Sequence, residues 1–277
     1  MWLLYSIITA VCWGLVLATV KRSYNSFSPT TFVFVGTIAA ILILLPFALI
    51  NGAKLILWPL LPAGILVAAL FIFEFYALEK GKLSLTGTVL NTYPFFTFLL
   101  ARIFLQESTD LLTRTGVGLI LVGIVMLSFE NWSEIKKIRS KSWLMWGLAG
   151  ALSTGSGDFF IKSMVDVYGP YSYSLAFVVG WLIIALIIAI FDRKNIQIKF
   201  SQNFLYLVSG AVFLFSGYIF LHLALRDGLV SIVTPITASS ATISLFLAVV
   251  WLKEKIKTYQ IIGALLATIG VVIISTA

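Results

Sequence analysis

The chain has 277 residues, of which 60% are hydrophobic and only 11% are charged, whereas a soluble domain is about 45–50% apolar and about 25% charged. This composition excludes a conventional soluble fold, a disordered chain and a disulfide scaffold, because the apolar content is high and Cys12 is the single cysteine. The formal net charge of +8 does not indicate nucleic-acid binding, since the basic residues lie between apolar segments and form no stripe along one element.

Apolar stretches long enough to cross a bilayer follow one another along the whole sequence. A hydrocarbon core about 30 Å thick requires about 20 residues of helix. Ten stretches meet this requirement approximately: residues 2–20, 30–50, 57–79, 83–104, 114–129, 142–162, 167–191, 200–225, 228–252 and 258–277. The sequence therefore predicts an all-α integral membrane protein with ten transmembrane helices.

Lys and Arg are distributed unevenly between the two ends of the predicted spans. Fourteen of the 19 lie on the side that holds the loops after the first, third, fifth, seventh and ninth spans. The other side, which holds both termini, carries Lys54, Arg102, Arg114, Lys162 and Arg226. The positive-inside rule predicts from this bias that both termini lie outside the cell.

An internal repeat divides the sequence into two halves. A shift of 141 residues aligns identical residues, among them Trp2, Gly14, Lys21 and Pro29 with Trp143, Gly155, Lys162 and Pro170. A shift of 147 does the same further along: Ser84, Glu107, Gly116 and Gly123 with Ser231, Glu254, Gly263 and Gly270. We predict a first five-helix repeat at residues 1–131, a basic linker at 132–142 and a second repeat at 143–277.

The odd number of spans in each repeat has a mechanical consequence. A chain that crosses the membrane five times begins and ends on opposite faces, so the second copy is expected to be inverted relative to the first. Inverted repeats give a protein two similar conformations, one open to each side, with a solute site near the midplane. Two inverted five-helix repeats are typical of a carrier.

Several predicted spans carry polar residues in their middle. Asn91 and Tyr93 precede Pro94 in the fourth span, and Thr237 follows Pro235 in the ninth. Each proline breaks the helical hydrogen bonding, and the freed carbonyl group is tolerated in hydrocarbon only against protein or a water-lined cavity. These patterns favour a polar pathway, although small polar residues also occur where helices simply pack closely.

Ionisable residues inside a span are a sharper indication, because a charge near the bilayer centre costs about 2.5–3.5 kcal/mol. Glu74 lies more than one turn inside the third span and can point into a cavity. Asp158 lies four residues before Lys162, so the two can also form a purely structural pair. Arg102 lies near the end of its span, where it can snorkel to the interface or pair with Glu107.

The sequence contains one histidine and one cysteine. His222 is a candidate for a proton-coupled step because histidine titrates near neutral pH, and the alternative is a packed or interfacial side chain. No HExxH motif, GxSxG motif or Cys/His metal-ligand spacing is present. We therefore expect no enzyme activity, no metal site and no cofactor.

Several short motifs complete the sequence evidence. They are Trp13-Gly14, Lys21 before Ser28-Pro29, and the segments Phe104-Leu105-Gln106-Glu107 and Trp251-Leu252-Lys253-Glu254, which close the fourth and ninth spans with a Glu. Together with ten spans in two copies, these motifs resemble the EamA branch of the drug/metabolite transporter superfamily over the whole chain. The family usually has Gly before the closing Glu, where this chain has Gln106 and Lys253.

The resemblance implies a secondary carrier whose central cavity is lined by the first, third, fourth, sixth, eighth and ninth spans. The cavity candidates that follow are Trp13, Glu74, Asn91, Tyr93, Thr154, Asp158, Tyr218 and Thr237. Glu74 and His222 are candidates for proton coupling, and Pro94 and Pro235 for helix breaks. The charged residues repeated in both halves are candidates for structural or gating roles: Lys21, Lys162, Glu107 and Glu254.

We expect a secondary active transporter that moves a small metabolite or drug-like solute across the plasma membrane of a prokaryotic cell by alternating access. The alternative is a non-transporting membrane scaffold or accessory subunit. The expected partners are the lipid bilayer and a small-molecule substrate, without nucleic acid, and the expected assembly is a monomer or homodimer. The resemblance implies cytoplasmic termini, opposite to the charge bias, so orientation stays open together with the substrate, the direction of transport and the coupling ion.

Overall fold

The computed structural model describes residues 1–24, 26–80, 92–128, 142–252 and 257–276. Every regular element in these ranges is a helix, as the sequence predicts. In chain order the long helices are α1 (Trp2–Ser23), α2 (Pro29–Ile50, with a π-helical segment at Ala40–Leu44), α3 (Leu60–Lys80), α4 (Tyr93–Phe104), α5 (Leu111–Ser128), α6 (Ser142–Asp192), α7 (Gln202–Asp227), α8 (Val230–Ala238), α9 (Ser240–Leu252) and α10 (Thr258–Thr276). A short 3₁₀ helix, Arg193–Asn195, follows α6.

Six helical stretches of the described chain are long and apolar enough to cross a membrane. They are Trp2–Val20, Pro29–Ile50, Gly147–Asn195, Gln202–Asp227, Val230–Leu247 and Thr258–Thr276. Shorter apolar segments lie in α3, α4 and α5. The count of ten transmembrane helices stays a prediction, because part of the fourth predicted span lies outside the described residues.

The helix α6 differs most from the prediction, because it continues through residues 163–166, where a loop was expected between the sixth and seventh spans. Its regular conformation is interrupted at Gly169, which has φ 80° and ψ 160°. A residue that precedes a proline avoids the helical region, and glycine adopts positive φ without strain. The Gly169-Pro170 pair therefore places the break at residue 169, beyond the loop predicted at 163–166.

The two prolines expected to break helices lie in different settings. Pro94 lies in the first turn of α4, where a missing N–H removes no hydrogen bond from the helix. Pro235 lies inside α8, which continues to Ala238 before it ends. Ser239 then separates α8 from α9. The ninth predicted span thus consists of two helical pieces.

The described chain divides into two compact units, which we call unit 1 and unit 2. Unit 1 comprises residues 1–72 and 160–227, and unit 2 comprises residues 73–159 and 228–277. In unit 1, α1 and α2 pack against α7; in unit 2, α5 packs against α10 and α4 against α8. Each unit contains segments from both halves of the sequence, so the two units do not correspond to the two predicted repeats. The division of the sequence into repeats at residues 132–142 stays a prediction.

In unit 2, α5 and α10 cross at two glycines on each helix. A Cβ atom at Gly123 would lie 2.5 Å from the carbonyl oxygen of Gly263, and one at Gly116 would lie 2.9 Å from that of Gly270. Such an approach of two backbones is possible only for residues without a side chain. Because the residue numbers rise along α5 while they fall along α10, the two helices are antiparallel.

Candidate functional site

An aromatic cluster lies inside unit 1, centred on the buried Tyr218 ring of α7. Its ring centroid lies 5.7 Å from that of Trp13, 5.5 Å from that of Phe71 and 4.9 Å from that of Phe177. Gly217 makes this approach possible, because a Cβ atom there would lie 2.6 Å from Trp13 Nε1. The structure thus places two predicted cavity residues, Trp13 and Tyr218, in contact. Trp13 Nε1 is a buried donor with no hydrogen-bond acceptor among the described residues.

His222 lies fully buried beside this cluster and connects α7 to the part of α6 that follows Gly169. Its Nδ1 lies 2.7 Å from Ser174 Oγ, which in turn lies 2.7 Å from the carbonyl oxygen of Pro170. Two oxygens this close require a hydrogen between them, and only the Ser174 hydroxyl can supply it. Nδ1 therefore donates to Ser174, and Nε2 is left with no partner among the described residues. The Tyr173 ring packs edge-on against the imidazole with centroids 5.0 Å apart.

Lys162 is buried in unit 1 and binds the end of a helix. Its Nζ donates to Asp166 Oδ1 at 2.7 Å and to the carbonyl oxygen of Leu225 at 2.9 Å. Leu225 lies in the last turn of α7, where carbonyl groups lack helical partners and a cation is favoured by the helix dipole. Asp166 lies one turn after Lys162 on α6, and Asp158, the other acid at this spacing, lies one turn before it.

Glu107 in unit 2 binds the start of a helix. Its carboxylate accepts from the backbone N–H groups of Val230 and Ser231, both at 2.9 Å, and from Ser231 Oγ at 2.5 Å. The N-cap residue of α8, Leu229, has no side chain able to cap. Glu107 therefore supplies the cap from a distant part of the chain. Arg102 also reaches Glu107, but its Nη1 donates to the backbone carbonyl at 3.2 Å and not to the carboxylate.

A second buried acid in unit 2 lies among hydroxyl groups. Asp158 is fully buried, and its Oδ2 accepts from Thr234 Oγ1 at 3.2 Å. Thr237, one turn along α8, donates to the carbonyl oxygen of Thr234 at 2.9 Å. Thr154 lies one turn before Asp158 on α6 and is also buried. The predicted cavity residues Asp158, Thr154 and Thr237 thus belong to one polar region where α6 and α8 meet.

The start of α4 packs closely on α6 beside that polar region. A Cβ atom at Gly155 would lie 2.7 Å from the carbonyl oxygen of Tyr93, and Thr97 Oγ1 donates to the carbonyl oxygen of Gly155 at 3.1 Å. Gly155 therefore allows the backbone of α4 to approach that of α6. The buried Tyr93 joins the predicted cavity residues of unit 2 in this way.

The side chains of four predicted site residues lie outside the part of the chain that the structure describes. Asn91 and Glu254 lie outside the described residues, and the side chains of Glu74 and Lys21 do as well, although their backbones belong to α3 and α1. The described candidates therefore fall into two groups. Trp13, Tyr218, His222 and Lys162 belong to unit 1, and Tyr93, Thr154, Asp158, Thr237 and Glu107 belong to unit 2.

Sequence reasoning missed the partners of the buried polar groups. Ser174 shows no pattern that connects it with His222, because the two are distant in sequence. For Glu107 a signal was available, since both Glu107 and Ser231 have identical counterparts at the same shift of 147 residues. Two polar residues that each have an identical counterpart in the other half of the sequence are candidates for direct contact.

The apolar helices, the buried charges at helix ends and the polar residues inside apolar helices define a multi-pass membrane protein. The sequence model of the EamA-like transporter family matches residues 1–129 and again residues 141–276. The chain belongs to the EamA-like transporter family.

The chain is also similar to other proteins in sequence and to a solved structure in fold. An uncharacterized protein of Methanocaldococcus jannaschii is 32% identical over 129 residues, which are 47% of this chain and 93% of that protein. An uncharacterized transporter of Helicobacter pylori is 22% identical over 244 residues, covering 82% of this chain and 78% of its own. A protein crystal structure that is 14% identical covers 99% of this chain and 96% of its own with a TM-score of 0.84, a likeness of fold.

Proposed function

We propose that the protein is a secondary active transporter of the plasma membrane, which moves a small metabolite or drug-like solute by alternating access between two inverted five-helix repeats. The proposal joins the family assignment to the arrangement of α5 and α10. It requires that the two repeats have opposite orientations and that buried polar groups contact the solute during transport.

The observation that carries the proposal is the antiparallel crossing of α5 and α10. Gly116 and Gly263 occupy equivalent positions of the two sequence copies, as do Gly123 and Gly270. At the crossing, Gly116 contacts Gly270 and Gly123 contacts Gly263. Each glycine of α5 therefore contacts the α10 residue that is equivalent to the other glycine of α5. Equivalent helices that run antiparallel are expected when one copy is inverted relative to the other.

The lengths of the relatives support the repeat as a unit. The Methanocaldococcus jannaschii protein matches less than half of this chain but nearly all of itself. The family model also matches this chain twice, once in each half. These matches favour the predicted division into two copies at residues 1–131 and 143–277.

The solute contacts that we propose are the polar and aromatic candidates of each unit. In unit 2, the Asp158 carboxylate among the hydroxyl groups of α6 and α8 favours a cationic or zwitterionic solute, since a buried carboxylate is stabilised by a positive group. In unit 1, the Trp13 and Tyr218 rings suit a planar or apolar part of a solute.

Proton coupling is part of the proposal and involves Glu74 and His222. His222 offers a free Nε2 lone pair, but the imidazole is packed against the Tyr173 and Phe177 rings. We propose that movement of those rings gives a proton access to it. If His222 carries the proton, His222→Gln abolishes the stimulation of flux by a pH gradient; if Glu74 does, Glu74→Gln has that effect and His222→Gln does not.

The test begins with a thermal-shift screen of the purified protein against amino acids, nucleosides, sugars and drug-like cations, because a ligand that binds only the folded state raises its stability. Each hit is then measured as radiolabelled flux in proteoliposomes. We expect Asp158→Asn to lower the flux at least ten-fold while the protein still folds. Asp227→Asn is the matched control, since that half-exposed carboxylate pairs with the adjacent Arg226.

The non-transporting alternative gives a different result. A scaffold or accessory subunit predicts no flux for any solute in the panel and no difference between Asp158→Asn and Asp227→Asn. Equal flux of both variants with a transported solute would remove Asp158 from the proposed solute contacts.

A further inference from the structure

The segment between α6 and α7, residues 193–201, is fixed against the start of α2 by a set of hydrogen bonds. The carbonyl oxygen of Asn195 accepts from Ser28 Oγ at 2.7 Å and from Thr31 Oγ1 at 2.9 Å. Gln197 N donates to Thr31 Oγ1 at 3.1 Å. The segment, which we call the basic loop, therefore has a defined conformation, although its last residues form no regular helix.

The basic loop presents cations and aromatic rings to its surroundings. Arg193, Lys194 and Lys199 are exposed. Phe200 is 90% exposed and Phe191, just before the loop, is 86% exposed. Side chains of these two kinds occur together at a membrane surface, where the rings enter the boundary of the acyl chains and the cations stay at the level of the phosphates.

The local charge is strongly positive. The adjacent carboxylate of Asp192 accepts hydrogen bonds from the Thr30 hydroxyl and from Asn195 Nδ2, so it is directed towards α2. The N-terminus of α2 adds its own partial positive charge.

A second loop of unit 1 shows that exposed apolar residues alone do not distinguish this surface. The loop between α2 and α3, residues 51–59, exposes Leu57 and Trp58 in a similar way. It carries one basic residue, Lys54, where the basic loop carries three. The feature particular to the basic loop is the combination of exposed rings with clustered positive charge.

We propose that the basic loop is a docking surface for anionic phospholipids of the surrounding leaflet. Arg193, Lys194 and Lys199 bind the headgroup phosphates, and Phe191 and Phe200 insert among the upper parts of the acyl chains. Juxtamembrane basic clusters attract anionic lipids in this way, and each basic side chain near such a surface contributes about a five-fold factor in affinity. The proposal is independent of transport, because it requires no solute.

The test measures lipid binding to the purified full-length chain. Native mass spectrometry in a mild detergent, titrated with phosphatidylglycerol or phosphatidylcholine, gives the binding of each lipid. We expect the wild-type protein to prefer phosphatidylglycerol, and the triple variant Arg193→Gln, Lys194→Gln, Lys199→Gln to weaken that binding about a hundred-fold. Lys54→Gln is the matched control and is expected to change it by a factor of about five or less.

Further measurements distinguish the lipid from other anions and from a folding defect. Phosphatidylglycerol in nanodiscs is expected to raise the melting temperature of the wild-type protein above its value in phosphatidylcholine, and the triple variant to lose most of this gain relative to its own phosphatidylcholine value. Equal gains in the two proteins would overturn the proposal. So would an equal gain from glycerol 3-phosphate, which would indicate a free-phosphate site, or from a soluble acidic peptide, which would indicate a protein partner.

Discussion

Unit 1 and unit 2 each bury a charged side chain at the end of a helix, and the two charges have opposite signs. The Lys162 ammonium binds the C-terminal end of α7, and the Glu107 carboxylate binds the N-terminal end of α8. These signs follow the helix dipole, which favours a cation at the C-terminus and an anion at the N-terminus. Both charges therefore replace the water that would otherwise satisfy the free backbone groups of a helix end.

The two helix ends differ in how many of their backbone groups are satisfied by the one buried charged side chain. Lys162 binds one backbone carbonyl and shares its charge with Asp166, whose carboxylate is 43% exposed and retains access to water. All three described bonds to the Glu107 carboxylate come from the buried first turn of α8. A buried donor that loses its acceptor costs about 1–3 kcal/mol. Unit 2 is therefore the more sensitive of the two to loss of its buried charge.

The largest expected effect concerns the glycine crossing that holds unit 2 together. Gly123→Leu would place side-chain atoms where the backbone of α10 now lies, so α5 and α10 must separate, at a cost of at least about 3 kcal/mol. We expect faster hydrogen exchange in α5 and α10, measured by mass spectrometry, and little change in α1 and α7.

A control for this crossing lies on the same helix. A Cβ atom at Gly118 would meet nothing within 4 Å, so Gly118→Ala is expected to leave exchange unchanged or to slow it slightly, because alanine favours helix. Equally fast exchange in α1 and α7 of Gly123→Leu would show that the two units do not respond separately.

The next effect concerns the Glu107 cap. Glu107→Ala leaves the N–H groups of Val230 and Ser231 without the carboxylate, and we expect a loss of about 2–3 kcal/mol in unfolding free energy. Denaturant unfolding of the purified protein measures it. Glu107→Gln keeps one acceptor oxygen and is expected to lose less; a greater loss in Glu107→Gln than in Glu107→Ala would contradict the capping role.

A smaller effect is expected at Lys162. Lys162→Met keeps the apolar stem but removes the ammonium, which leaves the Leu225 carbonyl without this donor and Asp166 free to face water. We expect a loss of about 1–2 kcal/mol by the same measurement. A loss as large as that of Glu107→Ala would refute the contrast between the two helix-end charges.

The smallest effect tests a helix end outside the predicted spans, at the start of α5. The Asp110 carboxylate accepts from Thr113 N at 2.8 Å, and the hydrogen bonds from Thr113 lower the pKa of Asp110 below its ordinary value of 3.8. The stabilisation is therefore present above pH 3.8 and is lost as the pH falls through the lowered pKa. We expect Asp110→Ala to melt below the wild-type protein at pH 7, by a margin that shrinks below pH 3.8.

The helices were predictable because their signal is local. An apolar run of about 20 residues indicates a helix whatever surrounds it, and most of the predicted spans therefore correspond to helices within a few residues. The break in α6 was misplaced because the short polar stretch before residue 167 looks like a loop, whereas the backbone changes direction only where Gly169 precedes Pro170.

The contacts of the candidate site were less predictable because they depend on the fold. The spacing of four residues along α6 indicates both Asp158 and Asp166 as possible partners of Lys162, but no spacing indicates the carbonyl oxygen of Leu225, which the fold brings to the ammonium. The aromatic partners of Tyr218 come from α1, α3 and α6, and no spacing along α7 indicates them. Residue type predicted which side chains are buried polar groups; only the structure supplied their partners.

The crossing of α5 and α10 has a consequence for the ancestry of the chain. Exchange of the two helices maps Gly116 onto Gly263 and Gly123 onto Gly270, so the contact is isologous, of the kind that two identical subunits form about a two-fold axis. A single five-helix chain could form the same contact with a second molecule inserted in the opposite direction. If the two predicted repeats descend from such a dimer, gene fusion preserved its interface, and a substitution at either glycine acts on a surface that both repeats share.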